Sequence, residues 1–498
     1  MCGIVGMVDF RGLPRDGLDA RLGRALDRLS RRGPDGNGTW SDARCALGHT
    51  RLAIIDLTEE GAQPMAGHGR VITQNGEIYN YEALRRELMG LGHEFATRSD
   101  TEVLLAGWRE WGRELLGRIV GMFAFALWDG EAGELVLARD RFGKKPLLYT
   151  RAGRRLVFGS DLLALERLDG QSGTLDPAAL RLLFTLRFIP EPHSIAEGVA
   201  KLPPGHLARF TADGLSVEPW YDLAAARPAR YGDEGDAAAD LRTAFDASVA
   251  ARTVADVPVG AFLSGGIDSA VLASSLARMG GQVRTFTVGF PDAGAYYEER
   301  PEARRVAEHL GTDHTEIELG PEEARAGLDG VFEGFDEPFA DSSALPTYLL
   351  SQVTRRHVKV ALSGDGADEV FGGYRKYLGE LHAGRYQRLP AILRAGVIEP
   401  LVAALPESKD SALLERARRL RRFTAHAGKP AAGRQAGWAR LLGESELDQL
   451  LAIPAPAPNV EERIAREREA ARDERDGHMS GPFETTDELI AHLNQQRT

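Results

Sequence analysis

Apolar and polar positions follow two different rhythms along this chain. Residues 3–10 are almost unbroken apolar sequence, which predicts a buried strand. Residues 17–30 instead place Leu18, Leu22, Ala25, Leu26 and Leu29 at helical spacing. The runs 119–128 and 134–139 predict two further strands, and the turn Trp128-Asp129-Gly130-Glu131-Ala132-Gly133 between them has hairpin chemistry. Strands with so little alternation imply sheets covered on one or both faces. From about residue 206 the rhythm changes. Residues 223–238 read as an exposed connector, and a helix over 237–252 carries Leu241, Ala244, Phe245 and Val249 on one face. Strands at 257–263, 284–290 and 315–319 then alternate with helical stretches, the spacing of strand–helix–strand units in a parallel sheet. A last apolar strand is expected at 358–362. After Tyr377 the chain is helical and polar; the basic face of 411–423 and the mixed charges of 461–476 read as solvated helix faces.

Composition narrows the function classes. The 498 residues suggest roughly two to four domains. The net charge of −12 does not favour a nucleic-acid partner. Two cysteines, Cys2 and Cys45, are no disulfide framework and fit a reducing, cytoplasmic location. There is no basic segment followed by an apolar one at the N-terminus, and no apolar stretch of the ~18 residues a membrane span needs. No membrane association is expected.

The candidate chemistry begins at Cys2. Removal of Met1 would leave a thiol and an α-amine on one residue, nucleophile and base together. Taken alone, Cys2 reads more readily as a chance cysteine; the residues downstream reverse that. Four polar clusters punctuate the strands: Arg32-Gly33-Pro34-Asp35-Gly36, His49-Thr50-Arg51-Leu52, Asn75-Gly76-Glu77-Ile78-Tyr79-Asn80 and Arg98-Ser99-Asp100-Thr101-Glu102. Singly they are weak, since Asn-Gly is a common turn and Ser99 would cap a helix starting near Thr101. In this order behind Cys2, and with the stretch from Ala138 to Leu147, they resemble the N-terminal-nucleophile glutamine amidotransferase domain over essentially all of residues 1–205. The resemblance implies an αββα sandwich in which Cys2 attacks the side-chain amide of glutamine. It makes the Asn75 side chain and the Gly76 N–H the oxyanion donors, Arg51 the partner of the substrate carboxylate, Asp100 that of its ammonium, and Glu77 a further glutamine contact.

The second signal is Ser264-Gly265-Gly266-Ile267-Asp268-Ser269, placed between an apolar strand and a helix. Glycines let backbone approach phosphate closely, and a helix N-terminus offers N–H groups and positive potential. The loop lacks the Gly-Lys-Ser/Thr ending of a Walker loop and the Gly-x-Gly-x-x-Gly of dinucleotide sites, and resembles the pyrophosphate loop of ATP pyrophosphatases. Asp336-Glu337-Pro338-Phe339-Ala340-Asp341-Ser342-Ser343-Ala344 and the run from Ser363 through Asp365, Asp368 and Glu369 to Tyr374 fit the same family. The acidic residues of that run repel one another unless cations offset them.

Both halves together resemble the glutamine-hydrolysing asparagine synthetase family. The resemblance implies a mixed α/β and α+β chain: a glutaminase domain at 1–205, a connector at 206–236, and a parallel-sheet α/β ATP-pyrophosphatase domain at 237–498. Implied ATP contacts are Leu263, Ser264, Gly265, Gly266, Asp268, Ser269, Val288, Gly289, Ser363 and Gly364. Asp268 and Asp368 match the magnesium positions, and Asp365 matches the base that acts on ammonia. Implied substrates are glutamine, aspartate and ATP, with magnesium ion as cofactor and a homodimer as the assembly kept open. The Glu-x-Arg-x-Pro-Phe-Leu-Asp segment usual in the family is not found after Tyr377, so the usual C-terminal end is expected to be lacking. Two alternatives stay open: amidation of another carboxylate, and a glutaminase without synthetase activity.

Overall fold

A computed structural model describes residues 1–451 apart from 15, 171–172, 224, 226–230, 292–297 and 406–411. The chain divides into two compact units. The first is Met1–Ala179, Ile189–Asp222 and Ala237–Gly364; the second is Leu180–Phe188, Leu223–Asp236 and the chain from Asp365 onward.

The first unit contains three sheets. The apolar run behind Cys2 becomes β1 (Gly3–Asp9). It shares a sheet with β2 (Gly36–Ser41), β3 (Cys45–Arg51), β8 (Leu148–Ala152), β9 (Arg155–Gly159) and β10 (Val199–Lys201), in the order β10-β8-β9-β1-β3-β2. The second sheet uses β4 (Met65–Gly67), β5 (Arg70–Ile78), β6 (Gly121–Asp129), β7 (Glu134–Arg139), β11 (His206–Thr211) and β12 (Gly214–Pro219), in the order β12-β11-β7-β6-β5-β4. Pairing is antiparallel throughout both.

Strand alternation builds the layers. On β6, Ala124, Ala126 and Trp128 face the first sheet, where Ile4, Val8, Leu47 and Phe158 meet them. Phe123, Phe125 and Leu127 face the other way, onto Leu84 and Leu88 of the Tyr81–Gly90 helix and Val103 and Leu104 of the Asp100–Trp111 helix. The Leu18–Leu29 helix covers the first sheet, with Leu22 and Leu26 over Gly48. The result is the expected four-layer αββα sandwich. Both faces of β6 are covered, which is why its sequence does not alternate.

Two expectations need correction. The domain does not end at residue 205: β11 pairs with β7, so residues 206–219 belong to the sandwich rather than to a connector. The clusters at 49–51 and 75–78 are not breaks between strands but the carboxyl-terminal ends of β3 and β5. Asn75-Gly76 is therefore no turn; β6 pairs with β5 along its whole length. Residues 224 and 226–230 of the expected connector lie outside the described residues.

The third sheet is parallel. It comprises β13 (Val259–Phe262), β14 (Arg284–Gly289), β15 (Asp313–Glu318) and β16 (Val360–Leu362), in the order β15-β14-β13-β16. Helices Ile267–Arg278 and Arg300–Leu310 connect its first three strands. Strand order reverses between β13 and β16, and such a switch point opens a crevice at the strands' carboxyl ends.

In the second unit, Phe423 of the Ala412–Ala427 helix lies between Tyr386 and Trp438, at ring distances of 5.6 and 6.2 Å. The expected charged run at 461–476 lies outside the described residues.

Candidate active sites

The candidate glutaminase site grows from the end of β1. Gly3 pairs with Thr50 of β3, and beyond that pair the Leu52 N–H donates to Cys2 Sγ at 3.4 Å. Arg32, just past the end of the Leu18–Leu29 helix, donates from Nε to the Cys2 carbonyl at 3.1 Å. Cys2 is thus held from both sides. Burial raises the Cys2 thiol above its ordinary value, although the Leu52 contact opposes it. Burial also pushes the α-amine of Met1 down to about 5, with Lys145 and Arg32 adding to the effect against Cys2 and Glu77.

Strand β5 supplies the rest. Odd residues face the interior between the two sheets, and even residues face the helices, as Val71 and Ile72 already do. Asn75 and Glu77 therefore share the face that looks toward β1. Asn75 is completely buried, and among the described residues neither its amide nitrogen nor its oxygen has a hydrogen-bond partner. A buried, unpaired amide costs roughly 1–3 kcal/mol. That cost is relieved when a substrate supplies the partner. Gly76 sits so close to β6 that a Cβ would lie 2.3 Å from the Met122 carbonyl oxygen. The N–H groups of Gln74 and Ile78 point to the edge away from β6, where Gln63 and Asp100 accept them at 2.6 and 2.9 Å. The two-residue period sends the Gly76 N–H to that same edge.

Ser99 caps the Asp100–Trp111 helix by accepting from Thr101 N. The Asp100 carboxylate accepts from Gln74 Nε2 at 3.0 Å and from Ile78 N at 2.9 Å. Burial still raises it above the usual carboxylate range. Glu77 is pushed up to about 7, first by burial and then by Asp100, with Lys145 and the terminal amine opposing. Arg51, half-buried, donates from Nη1 to the Thr58 carbonyl at 2.6 Å and from Nη2 to the Asp56 carbonyl.

Two residues of the motifs carry a role that sequence did not suggest, Arg32 and Lys145. The Asp140 carboxylate accepts from the backbone N–H groups of Phe123, Phe142, Lys144 and Lys145, folding the turn that returns Lys145 to the pocket. Lys145 is buried, and burial lowers it to about 8, with Glu77 opposing and Arg32 assisting. The adjacent lysines behind Gly143 were the available signal, but by composition alone such a pair looks like surface charge.

The candidate nucleotide site is built differently. Leu263 is buried, and its N–H donates to the Phe286 carbonyl. The chain then turns outward: Gly265, Gly266, Ile267 and Asp268 are all exposed. Ser264 and Ser269 close the loop, their hydroxyls 2.9 Å apart, and Gly266 N donates to Ser264 Oγ at 3.1 Å. No side chain caps the Ile267–Arg278 helix at Gly266. Val288 and Gly289 end the neighbouring strand β14. Ser363 and Gly364 follow β16, and a Cβ on Gly364 would lie 3.1 Å from Asp268 Cβ, so glycine lets the two loops meet at the switch point. Asp365 and Asp368 belong to the second unit, Asp365 exposed and Asp368 half-buried in the Ala367–Phe371 helix. Among the described residues no group of three or more His, Cys, Asp or Glu is arranged to hold a metal ion.

Comparison with known proteins meets this geometry on both sides. Residues 1–221 match the glutamine amidotransferase domain family and residues 240–478 match asparagine synthase. Asparagine synthetase [glutamine-hydrolyzing] 1 of Bacillus subtilis is 36% identical over 455 residues, covering 91% of this chain and 70% of that protein. The chain belongs to the glutamine-hydrolysing asparagine synthetase family. Asparagine synthetase B [glutamine-hydrolyzing] of Escherichia coli is 33% identical over 405 residues, 75% of this chain and 65% of that protein. This member of the family therefore spans about two thirds of the length of those relatives. Among solved structures, the glutamine phosphoribosylpyrophosphate amidotransferase of B. subtilis aligns with a TM-score of 0.35 at 16% identity, over 69% of this chain and 95% of that one. That likeness is too distant to carry an argument. Use of ATP is consistent with the family. Among the described residues, no helix is long and apolar enough to cross a membrane.

Proposed function

We propose that the chain hydrolyses glutamine at Cys2 and uses the ammonia to convert aspartate to asparagine through an acyl-adenylate, releasing AMP and pyrophosphate. The observation that carries the glutaminase half is Asn75: a fully buried amide with both polar atoms unpaired among the described residues, on the strand face that looks toward Cys2. Once Met1 is removed, the Cys2 amine occupies the same enclosed end of β1. Burial keeps such an amine unprotonated and the thiol protonated, so the amine takes the thiol proton as sulfur attacks the amide carbon. The oxyanion is received by Asn75 Nδ2 and the Gly76 N–H, the amine returns its proton to the departing nitrogen so that ammonia leaves, and water hydrolyses the thioester to glutamate. Arg51 holds the substrate carboxylate, Asp100 its ammonium, and Glu77 makes a further contact to glutamine.

For synthesis, the β-carboxylate of aspartate attacks the α-phosphorus of ATP, and pyrophosphate departs. The exposed Ser264–Ser269 loop offers backbone N–H groups to the phosphates, with Leu263, Val288, Gly289, Ser363 and Gly364 around the nucleoside. Ammonia then attacks the activated carbonyl, with Asp365 as base, and AMP leaves. The Asp268 carboxylate, solvent-facing beside the loop, suits a hard cation that keeps waters and phosphate oxygens; Asp368 of the second unit carries the same assignment from the resemblance. Magnesium, when bound, offsets charge on the phosphates. A cytoplasmic location and a homodimer belong to the same reading.

The test is one incubation of purified chain with glutamine, aspartate, ATP and magnesium, scored for glutamate, asparagine, AMP and pyrophosphate. Stoichiometric appearance of all four is expected. Glutamate without AMP overturns the synthetase half; AMP formed only with another carboxylate overturns aspartate as acceptor.

A further inference from the structure

The parallel sheet touches the glutaminase sandwich at the amino ends of β13 and β16, the two strands whose carboxyl ends carry the nucleotide loops. Asp256 lies three residues before β13. Its Oδ2 accepts from the Asp56 N–H at 2.8 Å, and its own N–H donates to the Ile54 carbonyl at 2.9 Å. Lys359 lies directly before β16. Its Nζ donates to Asp35 Oδ2 at 2.8 Å and to the Ala53 carbonyl at 3.3 Å, while the Ala53 N–H donates to that same Asp35 oxygen at 2.8 Å. Both contacts end on one segment, residues 53–58.

That segment holds Arg51. The carbonyls of Asp56 and Thr58 accept its guanidinium. Asp56 has φ of 53°, a left-handed conformation uncommon outside glycine. Its carboxylate is tied by Thr58 N, Thr58 Oγ and Arg98 N, and these bonds keep it below the usual carboxylate range although burial opposes them. A backbone in that region persists where its surroundings over-determine it, and one of the groups determining it comes from the synthetase sheet.

We propose that Asp256 and Lys359 are positioning residues for glutamine: they set the 53–58 segment, and through it the Arg51 fork, so that glutamine and ATP bind cooperatively. The two strands between are four and three residues long and hydrogen-bonded to each other, so a shift at either end is carried to the other. Such coupling is reciprocal: whatever factor ATP applies to glutamine affinity, glutamine applies to ATP affinity. The half-exposed setting of these contacts keeps the factor modest.

This inference rests on Arg51 receiving the glutamine carboxylate. The test measures glutaminase kinetics of the full chain with and without ATP–magnesium. In the wild type, ATP–magnesium should lower KM for glutamine by about fivefold with kcat little changed. Asp256→Ala and Lys359→Met should each hold KM at the ATP-free value, with kcat and ammonia-dependent synthesis within about twofold of wild type. Asp256→Asn retains an acceptor and should restore the ATP response. A wild type whose KM ignores ATP–magnesium, or alanine and methionine variants that keep the full response, would overturn the proposal. So would a proportional fall of every activity in both variants. An intact ATP response without asparagine formation would leave the coupling standing and remove only the aspartate reading.

Discussion

The glutaminase pocket and the nucleotide loop solve opposite problems. The pocket is dry and finished. Cys2, Asn75, Glu77, Asp100 and Lys145 converge from β1, β5, a helix start and a turn, and burial has moved the ordinary proton affinities of Cys2, Glu77, Asp100 and Lys145. The loop after β13 is wet: four successive residues from Gly265 to Asp268 are exposed, and Ser264 and Ser269 bond to each other across it. One site holds its reactive groups in place before substrate comes. The other presents a glycine pair and an exposed Asp268 on an open loop. Damage to the first should therefore appear in rate constants, and damage to the second in binding.

The sharpest break is Cys2→Ala. Glutamine-dependent synthesis should fall by about 10³-fold or more, with ammonia-dependent synthesis unchanged within about twofold; parallel loss of both in steady-state assays would erase the contrast. Next in size, Asn75→Ala should lower glutaminase kcat by about 10²–10³-fold while KM moves little, since the oxyanion exists only past the ground state. A KM effect without a kcat effect would make Asn75 a binding residue. Asp268→Asn should weaken magnesium-dependent pyrophosphate exchange by roughly 10–100-fold and spare basal glutaminase; unaffected exchange across a magnesium titration would remove Asp268 from the metal.

The smallest effect concerns stability. Burial and Asp100 raise Glu77 from the ordinary 4.5 to about 7. A carboxyl raised by folding stabilises the native state below the unfolded value, and that contribution is lost as pH rises through the folded value. Glu77→Gln should therefore be more stable than wild type by roughly 1–3 kcal/mol at pH 8, with the gap closing toward pH 4.5. Denaturation midpoints at the two pH values would measure it. A pH-independent difference would mean that Glu77 is not desolvated as described.

The same contrast governs how much could be read from sequence. The βα rhythm of residues 257–319 was legible because buried parallel strands are continuous apolar runs bounded by helices. β1, β6 and β7 were legible for the same reason. β3 and β5 were not, because polar candidate residues belong to the strands themselves: Arg51 ends β3 and Asn75 lies within β5, and both look like interruptions until their neighbours supply two covered faces. β11 and β12 were missed since polar residues such as Arg209, Ser216 and Glu218 mask two short strands, the edge strand β12 and its neighbour. The roles of Cys2 and Ser264–Ser269 came from local order of residues. That of Lys145 needed the turn around Asp140, a tertiary fact.

The two-residue period of β5 has a consequence for how this gene tolerates change. Asn75 and Glu77 face the candidate pocket while Ile72 and Ile78 face the helices, and a single ladder with β6 fixes which is which. One codon inserted between positions 71 and 75 would preserve every residue type and nearly the same composition, yet turn the amide toward leucines and an isoleucine toward the thiol. A substitution here alters one side chain; a frame-preserving insertion alters the facing of every residue beyond it.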